Sequence, residues 1–283
     1  MKILITGANG QLGKCIEKQS KMYPEIEFLF ESSHTLDITS EKDVSDFFNT
    51  YQPDFCVNCA AYTNVEKAEN DQKLAFKVNS DAVQSLAKQC EIHHTKLIHI
   101  STDYVFNGLK LSPYVETDPE NPINVYGASK LQGETMISEH MDHFFILRTS
   151  WLYSEFGHNF FNTILKKTKA SADLNITTEQ IGTPTNANDL AQFIMNLIQK
   201  NSNAFGLYHY SNQGEATWYD FARLILEEHT SATKVNLDAT FSYPTQAKRP
   251  KFSVLDTTKV ETTFKTKIPH WRESLVGLLR EMQ

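Results

Sequence analysis

The sequence predicts an α/β fold: a doubly wound parallel sheet with a smaller C-terminal lobe. Two observations carry this. In the first half, short, near-continuous apolar runs alternate with helical stretches of ~10–20 residues, the pattern of strands covered on both faces. After Trp151 that rhythm loosens, and Pro184, Pro244, Pro250 and Pro269 punctuate the chain.

The elements follow in order. Residues 2–6 form a β-rich run, and residues 11–22 have helical character. Residues 27–31 read as a second strand and residues 40–51 as a second helix, with Ser40 placed to cap its start. Residues 55–58 are a third strand. Residues 71–91 form one long amphipathic helix, with Leu74, Val78, Ala82, Leu86 and Cys90 spaced by four. Residues 96–101 are a fourth strand, 126–139 a helix and 144–149 a fifth strand. Beyond them, residues 159–169, 188–200, 217–229 and 271–282 read as helices and residues 206–210 as a strand. The expected division is a sheet domain of residues 1–155, with 181–202 completing it. Residues 156–180 and 203–283 then form a lobe over the C-terminal edge of the sheet, where open α/β sheets bind ligands.

Composition narrows the possible functions. The chain has 283 residues, 40% hydrophobic and 22% charged, as in an ordinary globular protein. Its net charge of −7 offers no basic footprint for nucleic acid or an anionic membrane. No run approaches the ~18 apolar residues of a membrane span. Ile3-Leu4-Ile5 is too short for a signal-peptide core. The cysteines are Cys15, Cys56, Cys59 and Cys90, sparse usage that suits a reducing compartment, and a cytoplasmic setting is expected. Cys56 and Cys59 have C-x-x-C spacing but lie in a strand, where residues three apart face opposite sides. They read as buried small residues. His93-His94 has no second Cys/His pair at zinc spacing, so no metal site is expected.

The first strand runs into Gly7-Ala8-Asn9-Gly10-Gln11-Leu12-Gly13. One glycine allows a sharp strand-to-helix turn, another close approach to a pyrophosphate, and a third close packing of the helix. The helix N-terminus then faces the phosphate charge. Between a strand and a helix, this spacing is the mark of a Rossmann-type dinucleotide site. Glu31 ends the second strand 18 residues after Gly13, near the ~20 expected of a carboxylate that holds the adenosine ribose. Asp37 and Ile38 are placed to flank the adenine. No Lys or Arg occurs from Met22 to Glu41, which favours NADH, or tolerance of it, over NADPH.

Tyr126 and Lys130 stand at i and i+4 on one helical face. A free tyrosine titrates near ~10, too high for acid/base work at neutral pH, and a neighbouring ammonium lowers that value. Tyr126 then gives a proton to a carbonyl oxygen as hydride reaches its carbon, and Lys130 holds the nicotinamide ribose. Thr102, ending the fourth strand 24 residues before Tyr126, supplies a hydroxyl to the same oxygen.

With these three features the chain resembles the extended short-chain dehydrogenase/reductases. The resemblance covers essentially the full length. It rests further on Asn58–Glu69, Ser101–Phe106, Asn124–Gly127, Arg148–Trp151, Gly182–Thr185, Trp218–Ala222 and Arg249-Pro250. These segments are similar to members that act on nucleotide sugars. The resemblance implies reduction by NADPH or NADH of the C4 carbonyl of dTDP-4-dehydro-β-L-rhamnose. It implies cofactor contacts at Gly10, Gln11, Leu12, Asp37, Ile38, Ala61, Tyr62, Thr63, Tyr126 and Lys130. Thr102, Asp103 and Trp151 are implied at the sugar nucleotide, with the Trp151 indole face over the deoxysugar. Arg249 is placed to pair with the diphosphate. Some members carry a Glu early in the first helix at a dimer-linking Mg²⁺ site. Lys14-Cys15 stand there instead, which argues against that metal-linked assembly while a homodimer stays possible. Two other functions remain. Epimerases and dehydratases share the Tyr/Lys pair, although the dehydratases' second acid after Thr102 is Tyr104 here. Some relatives are regulatory subunits that bind nicotinamide nucleotides without turnover.

Overall fold

A computed structural model describes residues 1–170, 173–229, 235–242 and 244–282. Six parallel strands form the central sheet: β1 (Lys2–Thr6), β2 (Glu27–Glu31), β3 (Phe55–Asn58), β4 (Lys96–Thr102), β5 (Phe144–Thr149) and β6 (Gly206–His209). Their order is β6-β5-β4-β3-β1-β2. The order reverses between β1 and β3, which opens a crevice at the C-terminal ends of those two strands.

Both faces of the sheet are covered, as the apolar runs require. On one face, Ile3, Ile5, Val57 and Ile98 pack against α1 (Gln11–Ser20) and α8 (Ala187–Gln199). On the other, Leu4, Cys56, Leu97 and Ile146 pack against α2 (Glu41–Tyr51), α5 (Ala82–Ile92) and α6 (Val125–His140). Ser40 caps α2 by accepting a hydrogen bond from the Asp43 N–H. Cys56 and Cys59 pack towards opposite faces of the sheet, and all four cysteines are free.

The boundary expected at residue 203 does not follow the sheet. β6 pairs with β5 at its edge, and α10 (Thr258–Phe264), which the sequence did not suggest, packs Val260 and Phe264 into the first core. A separate core lies around Trp271. It unites α7 (Phe160–Lys169), α9 (Trp218–Glu228) and α11 (Trp271–Glu281) with Leu174 of a small parallel pair, Leu174–Thr177 and Leu237–Thr240.

The helix expected over 71–91 is interrupted. It runs as α4 (Gln72–Phe76), a π-helical turn Lys77–Asp81, and then α5. An extra residue in the turn shifts the helical phase. Leu74 therefore falls on the exposed side and Ala75 takes the buried position, while Ala82, Leu86 and Cys90 stay in the core. Such turns cluster at functional sites. Among the described residues, no helix is long and apolar enough to cross a membrane.

Candidate active site

The glycine loop turns where β1 ends. Gly7 has φ +64°, and a Cβ there would lie 2.6 Å from the Ala60 backbone nitrogen, so glycine is required twice over. Gly13 packs on Ala8, and a Cβ on it would lie 2.7 Å from the Ala8 Cα. Gly10 is the N-cap of α1 and supplies no side-chain cap, so the first-turn N–H groups stay available to an anion. Gln11 reaches the other way: its amide donates to the Leu152 carbonyl at 3.1 Å and accepts from Asn159 at 3.2 Å. The loop is thus tied to the chain leading into the second core. Leu12 is buried beneath it.

Glu31 sits at the C-terminal end of β2, and its carbonyl accepts from Ala8 N–H at 3.0 Å. Asp37 is exposed, and its carboxylate accepts from the backbone and hydroxyl of Thr39, which hold it below the usual carboxylate range. Ile38 is buried in the second face's core. Lys77, on the π turn, lies near enough to Asp37 to act on its charge.

Ala61, Tyr62 and Thr63 follow β3. Asn79, wholly buried in the π turn, clamps this loop. Its Oδ1 accepts from Tyr62 N–H at 2.8 Å, and its Nδ2 donates to the Tyr62 carbonyl at 3.0 Å and to Ser129 at 2.9 Å. One side chain therefore ties the loop to α6. The helix itself is seated by two glycines. A Cβ on Gly127 would lie 2.1 Å from the Tyr104 carbonyl oxygen, and one on Gly133 would lie 2.1 Å from that of Asn79.

α6 carries Tyr126 and Lys130, and β4 delivers Thr102 beside them. Thr102 donates to Asp103 at 3.1 Å, accepts from Tyr104 N–H at 3.1 Å, and lies within hydrogen-bonding reach of the Tyr126 phenol. Burial pushes that phenol up to about 12, against the pull of Thr102, and the nearby Asp103 carboxyl raises it further. The expectation that Lys130 lowers Tyr126 is corrected. Lys130 is fully buried and bonded elsewhere, donating to the Ile100 carbonyl at 2.6 Å with Nζ 3.1 Å from His99 Nε2. Burial lowers Lys130 itself to about 8. Asp103 is also buried, with Oδ2 unpaired, and desolvation lifts it to about 7 against hydrogen bonds from Ser253 and Thr102.

Beneath Lys130, Glu134 accepts from Ser101 and is gripped by Arg148 through Nε at 3.0 Å and Nη2 at 2.6 Å. Arg148 also reaches Glu120 at 2.6 Å. No local pattern marks this buried network, because Arg148 lies 14 and 28 residues from its carboxylate partners, on different elements.

Trp151 follows β5 with φ +45°, rare for so bulky a residue. One indole face is already taken. It stacks on Trp218 with centroids 3.7 Å apart and planes 5° from parallel, while Gly182 meets the same ring. Trp151 is thus braced by Trp218 and Gly182 and stays half-buried, and Trp218 is the partner that residue-by-residue reading missed. Arg249 is also engaged: Nη2 pairs with Glu66 at 2.7 Å, and its buried Nε has no partner. Glu66 further accepts from Gln246 and Ala247 N–H, pinning the loop that carries Arg249. The structure thus gathers Thr102, Asp103, Tyr126 and Lys130 at the C-terminal ends of the strands, with the glycine loop across the crevice.

Known proteins are similar to this chain in sequence and fold. The sequence profile described as the RmlD substrate binding domain matches residues 1–283. A dTDP-4-dehydrorhamnose reductase of Sinorhizobium fredii is 37% identical, over 97% of this chain and 95% of its own. The crystal structure of a dTDP-4-dehydrorhamnose reductase from Clostridium acetobutylicum superposes with a TM-score of 0.95 at 38% identity, covering both chains completely. That from Bacillus anthracis, in complex with NADP, gives 0.93 at 35% identity over 99% of each chain. By sequence over its whole length and by fold, the chain belongs to the RmlD family, that of the dTDP-4-dehydrorhamnose reductases.

Proposed function

We propose that this protein reduces the C4 carbonyl of dTDP-4-dehydro-β-L-rhamnose to give dTDP-β-L-rhamnose, with NADPH or NADH as the reductant. The observation that carries this reading is the seating of Tyr126 beside Thr102 at the edge of the sheet, in a chain related over its full length to reductases of that name. The uncapped first turn of α1 and the tight Gly7 turn fit a dinucleotide diphosphate. Gly10, Gln11 and Leu12 would hold it, with Glu31, Asp37 and Ile38 about the adenosine and Ala61, Tyr62 and Thr63 along its length. The bound reduced nicotinamide supplies hydride to the carbonyl carbon.

The chain's own groups manage the proton. A phenol held near 12 stays protonated at neutral pH, which is the state a proton donor needs. Tyr126 gives that proton to the carbonyl oxygen, and Thr102 donates to the same oxygen, where negative charge develops. In the structure the single Thr102 hydroxyl hydrogen goes to Asp103, so it would turn from that carboxyl to the substrate oxygen. Trp151, braced by Trp218, would lie against the deoxyhexose, and Arg249, on the loop pinned by Glu66, would pair with the diphosphate. We assign the substrate-binding lobe to the Trp271 core built by α7, α9 and α11, and place the protein in a reducing, cytoplasmic setting, which suits four free cysteines.

The test is direct. Purified protein supplied with dTDP-4-dehydro-β-L-rhamnose and NAD(P)H should consume both, and Tyr126→Phe should lower turnover ~10²–10⁴-fold while cofactor affinity holds. Cofactor binding without turnover would leave a regulatory subunit instead.

A further inference from the structure

A row of polar side chains crosses the sheet beneath Lys130. Thr6, Asn58 and His99 are register neighbours on β1, β3 and β4, and they share the face of the sheet that α6 covers. All three are buried. Thr6 Oγ1 donates to Asn58 Oδ1 at 2.7 Å, Asn58 Nδ2 lies 3.0 Å from His99 Nδ1, and His99 Nε2 lies 3.1 Å from Lys130 Nζ.

The direction of this chain is fixed at one end. The Ala60 backbone N–H points at Asn58 Oδ1 at 3.2 Å. A backbone N–H only donates, so Oδ1 is the atom that faces it. Asn58 Nδ2 therefore faces His99 and donates, so His99 Nδ1 accepts. A neutral imidazole that accepts at Nδ1 carries its proton at Nε2. His99 is neutral, because complete burial holds it well below the ordinary histidine range. Its Nε2–H thus points at Lys130 Nζ. An ammonium has three donors and no lone pair, so it cannot accept that hydrogen, whereas a neutral amine can, while still donating to the Ile100 carbonyl.

We propose that Asn58 and His99 are positioning residues that hold the neutral amine form of Lys130 against β4, so that Lys130 turns away from His99 when it takes up a proton. Two other groups facing Lys130 favour its charged form, Glu134, which is itself bonded to Arg148, and Cys59, whose own thiol is pushed up by burial, and burial of Lys130 outweighs both. Tyr126 is a neutral phenol. The inference rests on the proposed function only for naming Lys130 catalytic; the hydrogen-bond argument needs no substrate.

The experiment reads the imidazole directly in cofactor-free protein. Protein labelled with ¹⁵N-histidine is titrated by NMR, and the ring-nitrogen shifts of His99 report its tautomer. At pH 9.5 His99 should be the Nε2–H tautomer. Its shifts should then move with a midpoint near 8, where Lys130 takes up its proton, although the imidazole stays neutral. In Lys130→Met that titration should vanish while the tautomer holds. In Asn58→Asp, one carboxylate oxygen keeps Thr6 and Ala60 and the other accepts from His99. The tautomer should switch to Nδ1–H and the midpoint should rise by at least one pH unit. An Nδ1–H tautomer in the unmodified protein at pH 9.5 would overturn the proposal, as would a His99 titration that survives Lys130→Met. If Asn58→Asp fails to fold, those two measurements still decide. Loss of turnover in the assay above, with the expected tautomer intact, would refute the reductase and leave this device standing.

Discussion

Gly133→Ala should damage the enzyme out of proportion to one methyl group. The new Cβ would sit 2.1 Å from the Asn79 carbonyl oxygen. Carbon and carbonyl oxygen ordinarily approach to about 3.3 Å, so α6 and the π turn must part by about 1.2 Å. Neither partner yields easily, since the obstacle is backbone and Asn79 is clamped to Tyr62 and Ser129. Overpacking of this kind costs about 1–3 kcal/mol. The better helix propensity of alanine returns about 0.8–1 kcal/mol, leaving a net loss of up to about 2 kcal/mol. The effect on rate should be larger, because the same helix carries Tyr126 and Lys130, and a displacement near 1 Å costs on the order of 10²-fold. Gly277→Ala is the matched control: that glycine also lies in a helix, α11, but a Cβ there meets nothing within 4 Å. It should gain about 0.5–1 kcal/mol and keep its activity. Urea midpoints and kcat/KM for both variants make the comparison. Equal stability of the two, with kcat/KM unchanged in Gly133→Ala, would show that the close approach does not seat the helix.

Three further perturbations follow from the site. Asp103 has a folded-state pKa raised from 3.8 to about 7, so between those values the unfolded chain ionises first and stability falls as pH rises. Asp103→Asn should match the unmodified protein in thermal melts at pH 4 and be more stable at pH 8, by at most about 4 kcal/mol at 1.36 kcal/mol per unit; a gain already present at pH 4 would contradict this sign. Trp218→Ala removes the stacked face that braces Trp151, so KM for the sugar nucleotide should rise about ten-fold, ~1.4 kcal/mol, with cofactor affinity spared; equal losses of both would make the pair a core contact only. Lys77→Met should lower kcat/KM for NADPH several-fold, roughly 1 kcal/mol for an exposed charge, with NADH unaffected. A like change for both cofactors would remove Lys77 from 2′-phosphate recognition.

Local patterns carried much of the fold into the sequence. Short, largely apolar runs declared β1 to β5, because a strand covered on both faces buries polar side chains only where they find partners. Gly7 to Gly13 declared the turn, because only glycine reaches φ +64° against the Ala60 backbone without a clash. The spacing of Tyr126 and Lys130 put them on one face of α6. The tertiary structure decided what those residues do to one another. The π turn at Lys77–Asp81 left no trace in the spacing-by-four pattern, because the demand for it comes from Asn79 reaching Tyr62 and α6. Lys130 was read as the partner of Tyr126 because sequence spacing fixes a face of a helix and says nothing of what lies beneath it. Beneath it lie His99 and the Ile100 carbonyl, 31 and 30 residues away. Trp151 was legible as an aromatic, yet its stack on Trp218 joins positions 67 residues apart (218 − 151), a contact that only packing of the second core brings about. Periodicity encodes which face a side chain takes, whereas partners, protonation and the faces left free are set by segments distant in sequence whose positions depend on the whole fold.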